Sequence, residues 1–318
     1  MAQEPKNCST LSDAITDYLT WHSLRGSSQC HQSDLRRTLR VFSDRAGADR
    51  PIEQLTRADC EALLKSARDR GLKPNTLKAY HRVLDAFFHW LVAEERLEET
   101  PMRRVPKPQL PREQVKPLTS EELVRLLHQP DGKSFTGVRD QALIAFLADT
   151  GLRISEALAV RFCDIDARAR SVSVIGKGGK GRTVFYGEAV AALLKTYVAR
   201  RSEVGERDLL WVSSLNEPLL RTSVTRRIKC YGKRAGIDGK RVSAHTLRHT
   251  FGVTWCLNGG DAFSLQRLLG HSTPAMTARY VNFASGDLAK MHKTVSPLDS
   301  LPGRPGTSQG SGRRKRLV

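Results

Sequence analysis

Residues 170–187 read RSVSVIGKGGKGRTVFYG. Apolar and polar residues alternate on both sides of a glycine-rich turn, the pattern of two antiparallel strands joined as a β-hairpin. Everything around this segment is helical in pattern. Upstream, Thr119 or Ser120 starts a helix with Glu121 and Glu122 in its first turn, where the helix dipole favours acids. Residues 137–151, GVRDQALIAFLADTG, form a helix that ends at Gly151, and LRISEALAVRF at 152–162 forms a short one. Downstream helices are expected over residues 188–201, 222–235, 244–257, 261–269 and 274–281. One hairpin among helices makes residues 118–295 a mainly α domain with a small β-sheet.

Residues 1–99 carry no strand signal and read as a four-helix bundle. Ser9 or Thr10 caps the first helix, striped by Leu11, Ile15, Tyr18 and Leu19. The second runs over 32–45 with Leu35, Leu39 and Phe42, and the third over 57–70, stopping at Gly71. Pro74 opens the fourth, where Leu77, Tyr80, Leu84, Phe87, Phe88 and Leu91 recur at helical spacing. Residues 100–117, TPMRRVPKPQLPREQVKP, are too proline-rich for a helix and suit an extended basic linker. Such a strap is able to cross a DNA backbone, and a plain solvated linker fits equally. Residues 296–318, rich in glycine, serine and proline and closing on RRKRL, read as a disordered basic tail. No internal repeat is visible.

The chain has 318 residues and a formal net charge of +19, with 39% hydrophobic and 27% charged residues. A folded protein of about two domains is expected. No run reaches the roughly 18 apolar residues of a membrane span, and the first ten residues lack the apolar core of a secretory signal. Residues 1–100 hold 15 basic and 15 acidic side chains, so residues 101–318 carry the whole excess. The last 23 residues account for only +4 of it. A folded region that basic suits a polyanion, through phosphate contacts and counterion release. The six cysteines (Cys8, Cys30, Cys60, Cys163, Cys230 and Cys256) form no C-x-x-C pair and read as reduced thiols.

Four short patches in the basic region carry chemistry-bearing side chains: TGLRISEAL with Arg153, GKGGKGR with Lys177, HTLRHT with His245 and Arg248, and LLGHSTPAMTARY with His271 and Tyr280. Gly151 ends one helix and Arg153 starts the next, where backbone N–H groups and a guanidinium together favour an anion. Glu156, three residues on, is placed to brace Arg153, although an ordinary surface pair has the same spacing. Lys177 stands on a glycine-flanked tip that lacks the order of a phosphate-binding P-loop. His245 and Arg248 share a helix face, pairing a group that titrates near neutrality with a permanent cation. His249 lies one turn from His245, but no third ligand is near in sequence, so a buried structural histidine is expected there rather than a metal pair. Thr273 and Pro274 open the helix that carries Tyr280. Taken singly, each patch is also compatible with an ordinary surface or core residue.

In this order and spacing the four patches resemble the tyrosine recombinase (phage integrase) family, over roughly residues 10–295. The family's Arg, Lys, His-x-x-Arg, His or Trp, and Tyr fall on Arg153, Lys177, His245, Arg248, His271 and Tyr280. The resemblance implies a helical, SAM-like core-site-binding domain and a catalytic domain that together form a C-shaped clamp on duplex DNA. It implies a site-specific recombinase that cleaves and rejoins strands through a 3′-phosphotyrosine, with no ATP, cofactor or metal. Arg153 and Arg248 would hold the scissile phosphate, and nearby cations would lower the Tyr280 pKa. His245 would act as acid and base, His271 would hydrogen-bond the phosphate, and Lys177 would protonate the 5′-oxygen. Arg36, Arg37, Arg40, Lys73, Lys78 and Arg82 are the candidate DNA contacts of the first domain. A homotetramer on synapsed DNA, accessory DNA-bending proteins and a cytoplasmic, nucleoid-associated location are further implications, and residues 284–295, around Leu288 and Met291, are where docking into a neighbour is expected. No arm-site domain precedes the bundle, and no large insertion separates the hairpin from His245, so the shorter Xer-like type is expected. Two rivals share much of the pattern: a type IB topoisomerase, which would relax plasmids without exchanging partners, and a DNA-binding protein that has lost activity.

Overall fold

A computed structural model of the chain describes residues 9–109, 116–176, 179–201 and 204–284, with side chains as far as Val281. The chain divides into two compact units, residues 1–113 and 114–318. The division falls inside the stretch expected to be a linker. The basic tail and residues 285–295 lie outside the described residues.

The first unit is built from α1 (Leu11–Leu24), α2 (Gln29–Ala46), α3 (Arg57–Asp69) and α4 (Pro74–Ala93). Thr10 caps α1 by accepting from the Asp13 N–H, and Pro74 sits in the first turn of α4, where a missing N–H costs nothing. The second helix begins at Gln29, earlier than its apolar stripe suggests, because Ser28 caps it through the His31 N–H. The stripes of the four helices meet in one core, with Leu11, Leu39, Phe42, Leu84, Phe87, Phe88 and Leu91 fully buried. Met102 and Val105 are buried in the same core, and His81 bonds through Nε2 to the Val105 carbonyl at 3.2 Å. The opening of the proline-rich stretch therefore belongs to the bundle: two apolar side chains in it have a core within reach, and burying them outweighs solvating them.

The second unit contains α5 (Ser120–Leu127), α6 (Phe135–Thr150), α7 (Ile154–Leu158), β1 (Ile165–Asp166), β2 (Ser171–Ile175), β3 (Gly181–Phe185), α8 (Glu188–Val198), α9 (Arg221–Arg234), α10 (Ala244–Leu257), α11 (Ala262–Leu269) and α12 (Pro274–Ala284). The hairpin is antiparallel, with Val172 opposite Val184 and Ser173 opposite Thr183. Its register turns both valines inward. The two-residue β1 completes the sheet by pairing Ile165 with Val172, and is too short to leave an alternation in the sequence. Helix α6 is apolar around most of its circumference, as a helix at the centre of a domain must be. Val138, Ala142, Leu143, Ile144, Phe146 and Leu147 are all buried, with α8 and α10 packed against them. Both ends of α6 therefore have fixed positions, and its C-terminal end leads directly into the Arg153 patch.

Candidate active site

Gly151 stops α6 in the left-handed region at φ 62°, and a Cβ there would stand 2.5 Å from the Phe251 ring and 2.8 Å from Leu269. Only glycine fits both the angle and the space. The chain turns, and Arg153 becomes the N-cap of α7. Glu156 accepts the Arg153 backbone N–H at 2.9 Å and its guanidinium at 2.8 Å. The same carboxylate is forked by Arg182 of β3 at 2.7 and 3.1 Å.

Helix α10 starts at Ser243, whose hydroxyl accepts the Thr246 N–H. Helical spacing then puts His245, Arg248, His249 and Gly252 on one face. Arg248 is 4% exposed and donates to the Gly151 carbonyl at 2.8 Å and the Leu269 carbonyl at 2.7 Å. It thereby ties the end of α6 to the end of α11. Gly270 ends α11, again in the left-handed region at φ 62°. His271 follows in the turn, its Nδ1 2.9 Å from the Thr277 hydroxyl and its backbone N–H bonded to the Gln266 carbonyl. Tyr280 comes next on α12, buried, its ring stacked on His271 and tilted against His249, with centroids 5.2 Å apart in the second pair. His249 is buried, with its ring against the phenol, as expected of a structural histidine.

These segments enclose an open pocket of about 220 Å³, lined by Arg153, His245, Arg248, His271, Arg279 and Tyr280, with Ile154, Ala244, His249 and Met276 completing the wall. Five of the six residues singled out in the sequence thus meet at one place. Lys177 lies outside the described residues. Arg36, Arg37, Arg40, Lys73, Lys78 and Arg82 are all exposed on the first unit. Among the described residues no group of three or more His, Cys, Asp or Glu is arranged to hold a metal ion.

The pocket is cationic, and its titrating side chains are buried enough to be shifted. Burial, then Arg248, Arg153, Arg182 and Arg279, hold His271 down to about 4. Burial and then Arg248, Arg279 and Arg153 lower His245 as well. Both imidazoles are therefore neutral at pH 7. Burial raises Glu156, but hydrogen bonds from Arg182 and Arg153 outweigh it and keep the carboxylate ionised, at about 2. Burial brings Arg248 down to about 10, still a cation at neutrality. The Tyr280 phenol corrects the expectation of a depressed pKa: it is raised above its ordinary value, because burial outweighs the opposing pull of Arg248, Arg279 and Arg153.

Sequence reading missed Arg279 and Arg182. Arg279 immediately precedes Tyr280, but on a helix neighbours in sequence do not share a face, so adjacency gave no reason to place it in the pocket. Arg182 looked like one more polar residue of the hairpin.

The phage integrase family model matches residues 116–286, and the model of the phage integrase N-terminal SAM-like domain matches residues 20–95. The chain belongs to the phage integrase family. By class it is a site-specific tyrosine recombinase. The recombinase is 30% identical over 298 residues to tyrosine recombinase XerD of Shewanella oneidensis, covering 91% of this chain and 97% of that one. It is 27% identical over 296 residues to tyrosine recombinase XerD of Listeria innocua, covering 90% and 99%. Its fold is shared with a solved lambda integrase dimer bound to a COC′ core site, with a TM-score of 0.70 at 19% identity over 84% of this chain and 97% of that one. The helical first unit and the mainly α second unit with its three-stranded sheet are the architecture of this family.

Proposed function

We propose that this recombinase cuts and reseals duplex DNA through a covalent link between Tyr280 and a 3′-phosphate. The observation that carries the reading is the convergence of Arg153, His245, Arg248, His271 and Tyr280 on one open cationic pocket, from three separate segments of chain, at residue 153, residues 245–248 and residues 271–280. A phosphodiester seated there brings one negative charge to a site whose acid, Glu156, is already saturated by arginines. Arg153 and Arg248 clamp its non-bridging oxygens and offset the charge of the five-coordinate transition state. Arg248 spends two of its five N–H groups on carbonyls, which fixes the guanidinium plane and leaves donors for a ligand. His271, held at Nδ1 by Thr277, has its other ring nitrogen for the phosphate.

In the cleavage step the Tyr280 oxygen bonds to phosphorus and the bond from phosphorus to the 5′-oxygen breaks. The phenol's proton passes to His245, which is neutral and therefore able to accept it. Lys177 supplies the proton that the departing 5′-oxygen takes. The phosphotyrosine keeps the energy of the broken diester, so a 5′-hydroxyl from another strand reseals it without ATP.

The first unit offers Arg36, Arg37, Arg40, Lys73, Lys78 and Arg82 to the duplex. The second offers α9, with Arg221, Arg226, Lys229, Lys233 and Arg234 and no acid, while Arg227 is paired with Asp140 of α6. Exchange between two duplexes calls for four copies on synapsed DNA, assisted by DNA-bending proteins where the sites require it, at the nucleoid. No described helix is long and apolar enough to cross a membrane. The test is a nicked suicide substrate. Wild type should accumulate a covalent protein–DNA adduct and Tyr280→Phe should bind the same DNA without one; equal adduct from both refutes the assignment.

A further inference from the structure

We propose that Arg182 is a positioning residue of the cleavage centre: reaching in from β3, it fixes the Arg153 clamp relative to the turn that carries His271. The inference rests on the proposed cleavage at Tyr280. Arg182 has 11% of its side chain exposed, and three of its N–H groups are spent on two different segments. Nη1 and Nη2 fork Glu156 on α7, and Nε donates to the Leu268 carbonyl of α11 at 2.8 Å. Glu156, itself buried, passes the constraint on, since it also holds both the backbone and the guanidinium of Arg153.

Two glycines show how closely the guanidinium is fitted. A Cβ on Gly270, the residue before His271, would stand 3.1 Å from Arg182 Nη1 and 3.2 Å from Cζ. A Cβ on Gly176, at the end of β2, would stand 3.2 Å from the same Nη1. The fork is therefore wedged between the backbone of the hairpin and the backbone of the His271 turn. Arg153 in turn reaches the Gly270 carbonyl at 3.4 Å, so the two phosphate-facing groups share one frame. A lysine reaching the same place offers a point charge and no planar fork.

The test is single-turnover cleavage of a suicide substrate at saturating protein, with DNA affinity and folding measured separately. Arg182→Met should keep its DNA affinity and cleave about 100-fold more slowly, the loss that misplacement by about 1 Å brings. Its rate should also fall away at a higher pH on the acid side, because Glu156 has lost hydrogen bonds that keep it ionised. Glu156→Gln should slow cleavage similarly, and the double variant should be no slower than the slower single one. Full recovery in the double variant would mean that Arg182 only balances a buried charge, and multiplied losses would mean that it acts independently of Glu156; either overturns the proposal. Arg182→Lys, which keeps the charge, should fold and cleave at an intermediate rate, and a wild-type rate there also overturns it. Wild type and Tyr280→Phe run alongside. A wild type with no Tyr280-dependent adduct overturns the cleavage reading and this inference with it, whereas equal adduct from wild type and Arg182→Met overturns the inference alone.

Discussion

The ring of Tyr280 lies parallel to the imidazole of His271, with 6° between the planes and 5.9 Å between the centroids. The space behind the phenol ring is made by a missing side chain: a Cβ on Gly252 of α10 would stand 2.8 Å from both Cδ1 and Cε1 of Tyr280. The Tyr280 ring is thus packed against a stacked imidazole and against the bare backbone of a glycine.

Gly252→Ala should therefore slow adduct formation while leaving DNA affinity intact. Helix propensity alone favours alanine by about 1 kcal/mol. The clash opposes it, and overpacking of this kind costs about 1–3 kcal/mol. The steric effect wins, so a lower thermal midpoint and an adduct rate down by about tenfold are expected, the latter equal to ~1.4 kcal/mol of barrier. A variant as stable and as fast as wild type would show that the ring is free to move aside.

The helices of the second unit and the hairpin were legible because each has a strong local signal: a cap, a stripe or an alternation. Ser243, Gly151 and Gly270 fall at helix ends where their conformations are needed. The two-residue β1 left no period to detect. The six residues singled out for chemistry came from motif order, and five of them line one pocket. Arg182 was not readable, because its partners Glu156 and Leu268 are 26 and 86 residues away. The sign of the Tyr280 shift was misjudged for a similar reason: motifs show the nearby cations, but burial depends on how α10 and α12 pack.

Acid should destabilise the free protein through His271. Its pKa is about 4 in the fold against 6.5 unfolded, so the unfolded chain binds a proton that the folded one refuses. Stability is then fully present above pH 6.5 and falls as pH drops from 6.5 toward 4, by up to about 3 kcal/mol at 1.36 kcal/mol per unit. Midpoints of chemical denaturation for wild type and His271→Asn across that range test this. The asparagine variant should show a flatter profile, and identical profiles would remove His271 as the cause.

Arg279 pulls the Tyr280 phenol down against burial. With Arg279→Gln that pull is gone, so the phenol should ionise at a still higher pH. Tyrosinate absorbance of each protein, minus that of its Tyr280→Phe counterpart, isolates this one titration. The alkaline side of the pH profile for adduct formation should move in the same direction. An unmoved titration would show that Arg279 points its charge elsewhere in solution.

Asp140 tests the frame rather than the chemistry. It is 4% exposed and accepts from Arg139 at 2.6 Å, Arg227 at 3.2 Å and the Tyr231 hydroxyl at 2.9 Å, so it pins α6 to α9. Asp140→Ala leaves Arg139, 2% exposed, as a buried cation without its acid. Removing one partner of such a pair costs about 3–5 kcal/mol, to be measured by equilibrium denaturation. A loss below 1 kcal/mol would place water, not the carboxylate, at the guanidinium.

Salt dependence of DNA binding tests the surface of the first unit. Arg36 and Arg40 lie one turn apart on α2, Lys78 and Arg82 one turn apart on α4, and all four are exposed on helices that pack against each other. Arg37 already has a partner in Asp34 at 3.0 Å, so it is the weaker candidate. Each phosphate contact contributes about 0.9 to the slope of log K against log salt. Replacing the four with alanine should therefore flatten that slope by about 3–4 units and weaken binding to any duplex alike. Arg37→Ala alone should change it little. A quadruple variant with an unchanged slope would move the DNA to another face of the bundle, while a slope change confined to one sequence would make these side chains readers of bases rather than of backbone.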